Sequence, residues 1–505
     1  MEKISKTLFR YRFEIVILLF SSFLFFGLRF YNLKFLPIFV DEAIYVRWAQ
    51  QGLYDPTLRL ISLVDGKQPL YIWLVSILTS YIYNPLLAGR LVSIAAGFIT
   101  LIGLFLLSFE LFRNRWVSVI SVLLYAFYPF ALILNRMAIY ESLIGMFAIW
   151  SLYVAILLVR YISLGMSLIL GLVLGGSLLT KSSGFANIYL LPTVLLLFNF
   201  KKGNLQKLLK CFFLALLAII LSFLYYSVLL LSDKYYMISE KDAYFIYHLK
   251  ELAAYHAFDK WVGNILLLLH WTFIYLTYPA SLLLFLNVRK SYRKEKLLLL
   301  FWFMIPIIGI ALFGRALTPR YIFPMTLFLL PIIAVNLKEL YLFFKNRIVY
   351  GLIIILVIGF LTFSNYKILT DISHAPIPQE DLQQYVNGFS GGQGLREIIS
   401  YLAEQAKKKQ IMIASEGVYG SLPTTVVEIY FVHNTQVERY AFDVRPKRLP
   451  QELYSKAQTK PVYVIFNETQ SVYNWPLELI MKFKRGSGDL NLSLYKVHSR
   501  IDSEI

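Results

Sequence analysis

Residues 86–109 read LLAGRLVSIAAGFITLIGLFLLSF, an apolar run in which Arg90 is the only charged side chain. About 20 consecutive apolar residues are enough to cross the hydrocarbon core of a bilayer as a helix. Comparable windows recur at about 13–33, 116–134, 140–160, 165–181, 184–200, 208–231, 263–287, 297–314, 321–342 and 348–366. The pattern predicts an α-helical polytopic membrane protein with about eleven transmembrane helices.

The overall composition also indicates that lipid is one of the protein's solvents. Of the 505 residues, 58% are hydrophobic and 17% are aromatic, which is more apolar surface than a soluble fold hides from water. The formal net charge of +19 does not indicate nucleic-acid binding, because Lys and Arg cluster in short segments between apolar runs. The single cysteine, Cys211, excludes a disulfide framework and a CxxC metal site.

The distribution of cations predicts the orientation in the membrane. They concentrate in alternate loops, at Arg113/Arg115, Arg160, Lys201/Lys202/Lys207/Lys210, Arg289/Lys290/Arg293/Lys294/Lys296 and Lys345/Arg347. Loops rich in Lys and Arg face the cytoplasm. The N-terminal apolar run lacks a small-residue cleavage site, so we interpret it as an uncleaved first span that starts in the cytoplasm. An odd number of crossings then leaves residues 367–505 outside the plasma membrane, together with loops at about 34–85 and 232–262.

Two domains are expected from this topology. Residues 1–366 form the transmembrane domain, whose first outer loop covers about 34–85, and residues 367–505 form an external soluble α/β domain. Within the first outer loop, Leu70–Tyr83 is apolar but too short to cross a bilayer. Because Pro69 and Pro85 bracket it, we expect a helix that lies along the outer interface.

The residues after 367 lose the long apolar windows and alternate between helix and strand signals. Gly388–Gly394 is typical of a flexible turn, and a polar helix is predicted near Leu395–Lys408. Strands are predicted at Gln410–Ser415, Pro461–Phe466 and Leu490–Val497. The order of these strands in a sheet is not readable from the sequence.

Asp41 and Glu42, just after the first predicted span, form the most informative polar stretch, Val40-Asp41-Glu42-Ala43-Ile44-Tyr45. Two adjacent carboxylates near lipid phosphates are repelled unless a cation or a substrate engages them. An equally good reading is structural, because Asp and Glu also suit the N-cap and first turn of a helix. Spacing alone leaves both interpretations open.

Several cations and tyrosines lie at the outer ends of the predicted spans. Lys67 follows a Gly turn, where it is suited to meet a phosphate, although an ordinary surface lysine against lipid headgroups is the more economical explanation. The other candidates of this kind are Arg136, Glu141, Lys181, Arg320 and Tyr321. Each of them alone is explained by side chains that reach from a span end toward the interface. Together they predict two carboxylate sites and several cations on one face.

The order of these motifs resembles a known family. The chain has Asp-Glu-x-x-Tyr from Asp41, Lys-x-Pro-Leu-x-x-Trp from Lys67, and Gly89-Arg90-Leu91 entering the next span; Arg136 and Glu141, Leu179-Thr180-Lys181 and Pro319-Arg320-Tyr321 follow. This set is similar to the GT-C glycosyltransferases of the protein O-mannosyltransferase and aminoarabinose-transferase group, over most of residues 10–345. The tail resembles external domains of uncharacterised bacterial members at Gly394–Glu397, Glu416–Gly420 and Pro476–Ile480.

The chain also departs from the family pattern. Aminoarabinose transferases often have Arg three residues after the Asp, where this chain has Ile44; Arg47, about one turn further, is a substitute phosphate contact to consider. Many relatives have Lys-Pro-Pro or His-Pro-Pro where Lys67-Gln68-Pro69 stands, and Asp where Glu141 stands. These differences leave the substrate assignment open.

The resemblance implies an inverting transfer of a sugar from a polyprenyl-phosphate carrier to a hydroxyl of a protein or glycolipid. It implies that Asp41 acts as general base, while Glu42 and Glu141 orient its partners or hold a divalent cation. The donor phosphate would be bound by Lys67, Arg320, Tyr321, Arg136 and Lys181. No His/Asp spacing requires a metal, so the cofactor stays unknown; His248 and His256 are more economically read as loop histidines.

Two other functions fit parts of the sequence. A polytopic lipid or polysaccharide transporter would also have the apolar windows. Transporters, however, typically place ionisable residues at mid-membrane, whereas in this chain they lie at the outer ends of the predicted spans. An oligosaccharide ligase would share the chemistry with a larger donor. The lipid product distinguishes the last case, because a ligase releases a diphosphate where this enzyme would release a monophosphate.

Overall fold

The computed structural model describes residues 12–200, 204–248, 250–251, 257–286, 291–344, 346–418, 420–467 and 475–498. Residues discussed above that lie outside this range are Lys201, Lys202, His256, Arg289, Lys290, Lys345 and Tyr419. The chain forms two compact units. The membrane unit consists of residues 1–31, 59–74 and 90–368, and the sheet unit consists of residues 32–58, 75–89 and 369–505.

Helices, most of them apolar, dominate the chain as far as Thr370. Their bounds are α1 Arg12–Phe30, α2 Val40–Tyr54, α3 Leu70–Thr79, α4 Pro85–Phe112, α5 Arg115–Ala126, α6 Pro129–Asn135, α7 Glu141–Tyr161, α8 Leu164–Thr180, α9 Phe185–Tyr189, α10 Leu205–Tyr226, α11 Met237–Phe245, α12 Ala257–Leu276, α13 Tyr278–Leu282, α14 Arg293–Phe313, α15 Phe323–Thr326, α16 Leu329–Phe343 and α17 Arg347–Thr370. The predicted interfacial segment is helical only as far as Thr79.

Within the described residues, five helices are long and apolar enough to cross a bilayer, and the number rises to eight if each bent pair is one span. The remaining predicted windows coincide with shorter apolar helical segments at Ile15–Phe30, Leu164–Thr180 and Ser182–Leu197. Each of the eleven windows is therefore helical, whereas the count of eleven crossings stays a prediction.

Three predicted spans are divided by a sharp bend. The helix axes turn by 57° between α5 and α6, by 112° between α12 and α13, and by 51° between the turn of Pro319–Thr326 and α16. In each pair a proline, Pro129, Pro279 or Pro331, lies in the first turn after the break. Proline has no amide hydrogen to donate to the carbonyl four residues earlier, so the helix cannot continue straight through it.

The sheet unit contains a five-stranded mixed sheet. Its strands are β3 Ile411–Glu416, β4 Val437–Phe442, β5 Val462–Phe466, β6 Leu477–Lys484 and β7 Asn491–Val497. The order across the sheet is β4-β3-β5-β7-β6, with β3 parallel to both β4 and β5, and β7 antiparallel to both β5 and β6. Helix α18, Gln379–Leu382, precedes the strands, and the helices between them are α19 Leu395–Lys408, α20 Thr424–Phe431 and α21 Gln451–Ala457. The predicted α/β character of this region is confirmed.

The predicted strands and polar helix of this region lie where expected, within one residue, but other elements were missed. Strand β4 has a half-exposed pattern, and β6 is intermediate or exposed along its whole length, so neither stands out by hydrophobicity. The glycine segment predicted as a flexible turn instead contains strand β2, Gly391–Gly392, which pairs antiparallel with β1, Ile38–Phe39. A Cβ on Gly392 would lie 2.8 Å from the carbonyl oxygen of Ile38, so this pairing needs a residue without a side chain.

Candidate functional site

Glu141 is the centre of a charged cluster in the membrane unit. Its side chain is only 1% exposed, and its Oε1 lies 3.3 Å from Lys181 Nζ and 3.9 Å from Arg320 Nε. Glu141 is the first residue of α7, Lys181 follows the last residue of α8, and Arg320 lies in the short 3₁₀ turn Pro319–Ile322. The termini of three separate segments therefore bring two cations to one buried carboxylate.

Two tyrosines complete this cluster. Lys181 Nζ lies 4.7 Å from the ring centroid of Tyr140 and 4.8 Å from that of Tyr321, distances at which a cation is attracted to an aromatic face. Lys67 Nζ donates a hydrogen bond to the Tyr140 hydroxyl at 3.4 Å. We call Lys67, Tyr140, Glu141, Lys181, Arg320 and Tyr321 the cation cluster.

The cation cluster has the chemistry of an anion site. Tyr140 lies in the field of three cations, Lys67, Lys181 and Arg320. Ammonium and guanidinium groups are the usual protein ligands of phosphate, and tyrosine hydroxyls add hydrogen bonds. The second carboxylate oxygen of Glu141, Oε2, is buried and has no hydrogen-bond partner among the described residues. A carboxylate oxygen only accepts hydrogen bonds, so a hydroxyl or water donor, and not the phosphate, would satisfy Glu141 Oε2.

Asp242 is a further acidic residue beside these cations, although no sequence motif marks it. It lies in α11, where it hydrogen-bonds Ser182 and interacts with the charges of Lys181 and Lys67. Partial burial raises the pKa of the Asp242 carboxyl above its ordinary value, although the hydrogen bond and the two lysines act in the opposite direction. No local pattern separates Asp242 from other acidic residues of the predicted loop at 232–262.

The loop that presents Lys67 is held from two sides. Gly66 has φ +63°, and a Cβ there would lie 2.5 Å from the Met237 carbonyl oxygen, so α11 packs directly on the glycine. Lys241 of the same helix forms an ion pair with Asp65. On the other side, Gln68 Nε2 donates a hydrogen bond to Ser182 Oγ at 2.8 Å. These contacts fix the backbone on both sides of Lys67.

Arg136, the remaining predicted phosphate ligand, belongs to a second group of buried cations. It interacts with the charges of Arg90 and Arg29, and its Nη2 donates to the Tyr31 carbonyl at 2.9 Å. Burial, followed by repulsion from Arg90 and Arg29, lowers the pKa of Arg136 to about 9, so the guanidinium still carries its charge at neutral pH. The structure therefore gives Arg136 neighbours different from those of Lys67 and Lys181.

Asp41 and Glu42 lie in the sheet unit, in the first turn of α2. The N-cap position is Phe39, so neither acidic residue is the N-cap that the structural interpretation assigned to them. Glu42 is fully buried, and its Oε2 accepts a hydrogen bond from the Phe39 amide at 3.0 Å, which is how an acid at the third helical position satisfies the backbone. Asp41, one residue earlier, is half-buried and favourably placed near the positive end of the helix dipole.

The structure also describes the contacts of Arg47 and His248. Arg47, considered above as a substitute phosphate contact, forms an ion pair with Glu428 at 3.0 Å. His248 is exposed, and its amide donates to Glu251. Across the described part of the chain, no group of three or more His, Cys, Asp or Glu side chains is arranged to hold a metal ion.

Known proteins resemble this chain in part of its sequence and in its fold. Residues 66–230 match the family model described as dolichyl-phosphate-mannose-protein mannosyltransferase. The structure is similar to that of ArnT from Cupriavidus metallidurans in the apo state, with a TM-score of 0.57 and 10% sequence identity, over 96% of this chain and 98% of ArnT. The same enzyme bound to undecaprenyl phosphate gives a TM-score of 0.55 and 11% identity, over 97% of this chain and 99% of ArnT. No curated protein sequence matches significantly.

The predicted resemblance is therefore confirmed. The chain is a multi-pass membrane protein with the GT-C fold, similar to glycosyltransferases of the protein mannosyltransferase and ArnT type. The matched segment contains Lys67, Arg136, Glu141 and Lys181, and it ends before Arg320 and Tyr321. It begins after Asp41 and Glu42.

Proposed function

We propose that this chain is a membrane glycosyltransferase that moves a sugar from a polyprenyl-phosphate carrier to a hydroxyl of a protein or glycolipid acceptor. Transfer occurs on the external face of the plasma membrane and inverts the anomeric carbon. The proposal draws on the similarity to the mannosyltransferase model and to ArnT, whose structure with undecaprenyl phosphate has the same fold. The external placement follows from the predicted cytoplasmic position of the cation-rich loops.

The observation that carries the proposal is the cation cluster. When the sugar leaves its carrier, negative charge accumulates on the phosphate, and no acid is needed to protonate such a leaving group. What it needs is charge stabilisation, which Lys67, Lys181 and Arg320 supply from three converging segments. Tyr140 and Tyr321 can donate hydrogen bonds to the phosphate oxygens.

The carboxylates take separate roles in this scheme. Glu141 is enclosed by Lys181 and Arg320, so it orients those cations while no donor is bound. Asp41 removes the proton of the acceptor hydroxyl as general base. Glu42 hydrogen-bonds the backbone at the start of α2 and thereby fixes the turn that carries Asp41. Arg136 contributes positive charge from its own group.

The test is transfer by the purified full-length protein in liposomes that contain a polyprenyl-phosphate sugar. The donor sugar is first identified by mass spectrometry of surface glycans and glycoproteins from a deletion strain. We expect the purified protein to release polyprenyl monophosphate at the rate at which glycosylated acceptor forms. Release of a diphosphate would identify an oligosaccharide ligase instead. Movement of intact lipid-linked sugar across the bilayer without cleavage would favour the transporter and overturn the proposal.

A further inference from the structure

Helix α2, which carries Asp41 and Glu42, is bound along its length by residues that come more than 300 positions later in the sequence. At its start, β1 pairs with β2, and the Val40 amide donates to the Ser390 carbonyl at 3.0 Å. The ring of Phe39 also packs edge-on against Tyr385, with centroids 5.1 Å apart. The backbone that leads into the first turn of α2 is therefore fixed by the region from 385 to 392.

Helix α20 binds the rest of α2. Arg47 Nε and Glu428 Oε2 are 3.0 Å apart, with side chains that are 14% and 24% exposed. One turn further, Gln50 Nε2 donates to the Ile429 carbonyl at 3.0 Å. At the end of α2 the rings of Tyr54 and His433 meet with centroids 4.4 Å apart. These contacts prevent α2 from rotating about its axis or sliding along it.

Helix α20 is itself held by the sheet. It connects the parallel strands β3 and β4, and the hydroxyls of Thr424 and Ser415 hydrogen-bond at 2.9 Å. Val426 and Val427 of the helix are buried. A helix held in this way by a sheet is a rigid support, and functional groups on rigid elements keep their geometry better than groups on loops.

Simple stabilisation does not account well for the Arg47–Glu428 pair. Partly exposed ion pairs contribute only about 0–1 kcal/mol to the free energy of unfolding, so the Arg47–Glu428 pair adds little to global stability. Position matters more, because a catalytic group displaced by about 1 Å can lose roughly 10²-fold in rate. A small rotation of α2 about its own axis would displace the Asp41 carboxylate by a distance of this order.

We infer that residues after 367 in the sheet unit position the candidate base. Glu428, acting through Arg47, holds α2 so that Asp41 keeps one position within this unit. This inference rests on the proposed function of Asp41 and adds a role for the domain after residue 367. It assigns Arg47 and Glu428 as positioning residues. Arg47 does not bind the donor phosphate in this assignment, since its guanidinium is engaged by Glu428.

The experiment measures kcat and donor KM for Glu428→Gln, for Arg47→Ala, and for the charge-reversed double variant Arg47→Glu with Glu428→Arg. We expect each single variant to lower kcat about tenfold with donor KM unchanged, and the double variant to recover most of the loss. The matched control is Glu438→Gln, because Glu438 pairs with Lys456 and Lys460 elsewhere on the same sheet. That control should keep wild-type kcat.

Three kinetic outcomes would overturn the inference. These are wild-type kcat in both single variants, a rise in donor KM that marks Arg47 as a phosphate ligand, and failure of the charge reversal to restore kcat. Hydrogen–deuterium exchange of residues 40–54 gives a second reading that does not depend on activity. Glu428→Gln should speed this exchange and Glu438→Gln should not; equal exchange would also overturn the inference. If the wild-type protein transfers no sugar, the proposed function fails, while the exchange data still test whether the domain holds α2.

Discussion

The two groups of candidate site residues are organised in different ways. In the cation cluster, charged side chains from three helix termini hold one another, with Glu141 between Lys181 and Arg320. In the first turn of α2, Glu42 bonds to backbone, and the helix is held by a sheet domain through β-pairing and the Arg47–Glu428 pair. The first arrangement suits binding of a mobile anion, because side chains can exchange partners. The second suits a proton acceptor whose position must not change.

The largest effect is expected at Asp41. Asp41→Asn keeps the shape of the side chain but cannot accept a proton, so transfer should fall by about 10²–10⁴-fold. The measurement is single-turnover transfer by protein whose folding and donor binding are checked separately. Because Asp41 is in the first turn and is not the N-cap, Asn there loses only the favourable interaction of a carboxylate with the helix dipole, about 0.3–1 kcal/mol, so the variant should still fold. Normal transfer by well-folded Asp41→Asn protein would therefore remove the base assignment and leave only a structural role for this turn.

A somewhat smaller effect is expected in the cation cluster. Lys67→Ala and Arg320→Ala each remove a cation at the position where negative charge develops, and each should lower kcat/KM by about 10²–10³-fold. Lys234→Ala is the control, because Lys234 pairs with its exposed neighbour Asp233. If both cluster variants kept wild-type kcat/KM, the phosphate would have to bind elsewhere, with the Arg136 group as the next candidate.

A backbone substitution tests whether the position of Lys67 is fixed by packing. Gly66→Ala places a Cβ against Met237 and forces a residue other than glycine to φ +63°, a strain of about 1–3 kcal/mol before the clash is counted. Gly420→Ala has a similar positive φ of +87° but open space around its Cβ. We expect Gly66→Ala to lower both thermal stability and kcat, and Gly420→Ala to lower stability less. Equal losses in the two variants would show that α11 does not constrain the lysine loop.

The smallest effect is expected at Asp242. Its raised pKa means that folding disfavours the ionised carboxylate, so the stabilising contribution is full below the unfolded pKa and is lost as pH rises through the folded pKa. The thermal stability of wild type relative to Asp242→Asn should thus decrease as pH rises above about 4. Removing this charge near Lys67 and Lys181 should also lower donor KM by less than tenfold. A stability difference independent of pH would contradict the assignment of the raised pKa.

The positions of most helices and of several strands were predictable from the sequence, whereas the contacts between them were not. Every apolar window is helical. These helices are predictable because hydrophobicity over about 20 residues can be evaluated from the local sequence alone. The bends within three of them depend on single prolines, which hydropathy averages over. In the sheet region, the polar helix predicted near Leu395–Lys408 lies there, whereas the exposed strand β6 has no uninterrupted alternating hydrophobic pattern by which to predict it.

The candidate site divides in the same way. Sequence by itself determined that the chain is a polytopic membrane protein with an α/β region, and the resemblance of its motifs to GT-C glycosyltransferases singled out Asp41, Lys67, Glu141, Lys181 and Arg320. Tertiary structure alone decided that Lys181 and Arg320 meet at Glu141, that Asp242 joins them, and that Arg47 is paired with Glu428. The physical reason is that hydrophobicity and charge are properties of the local sequence. The contacts join residues up to about 380 positions apart, and only the packing of whole helices and strands brings them together.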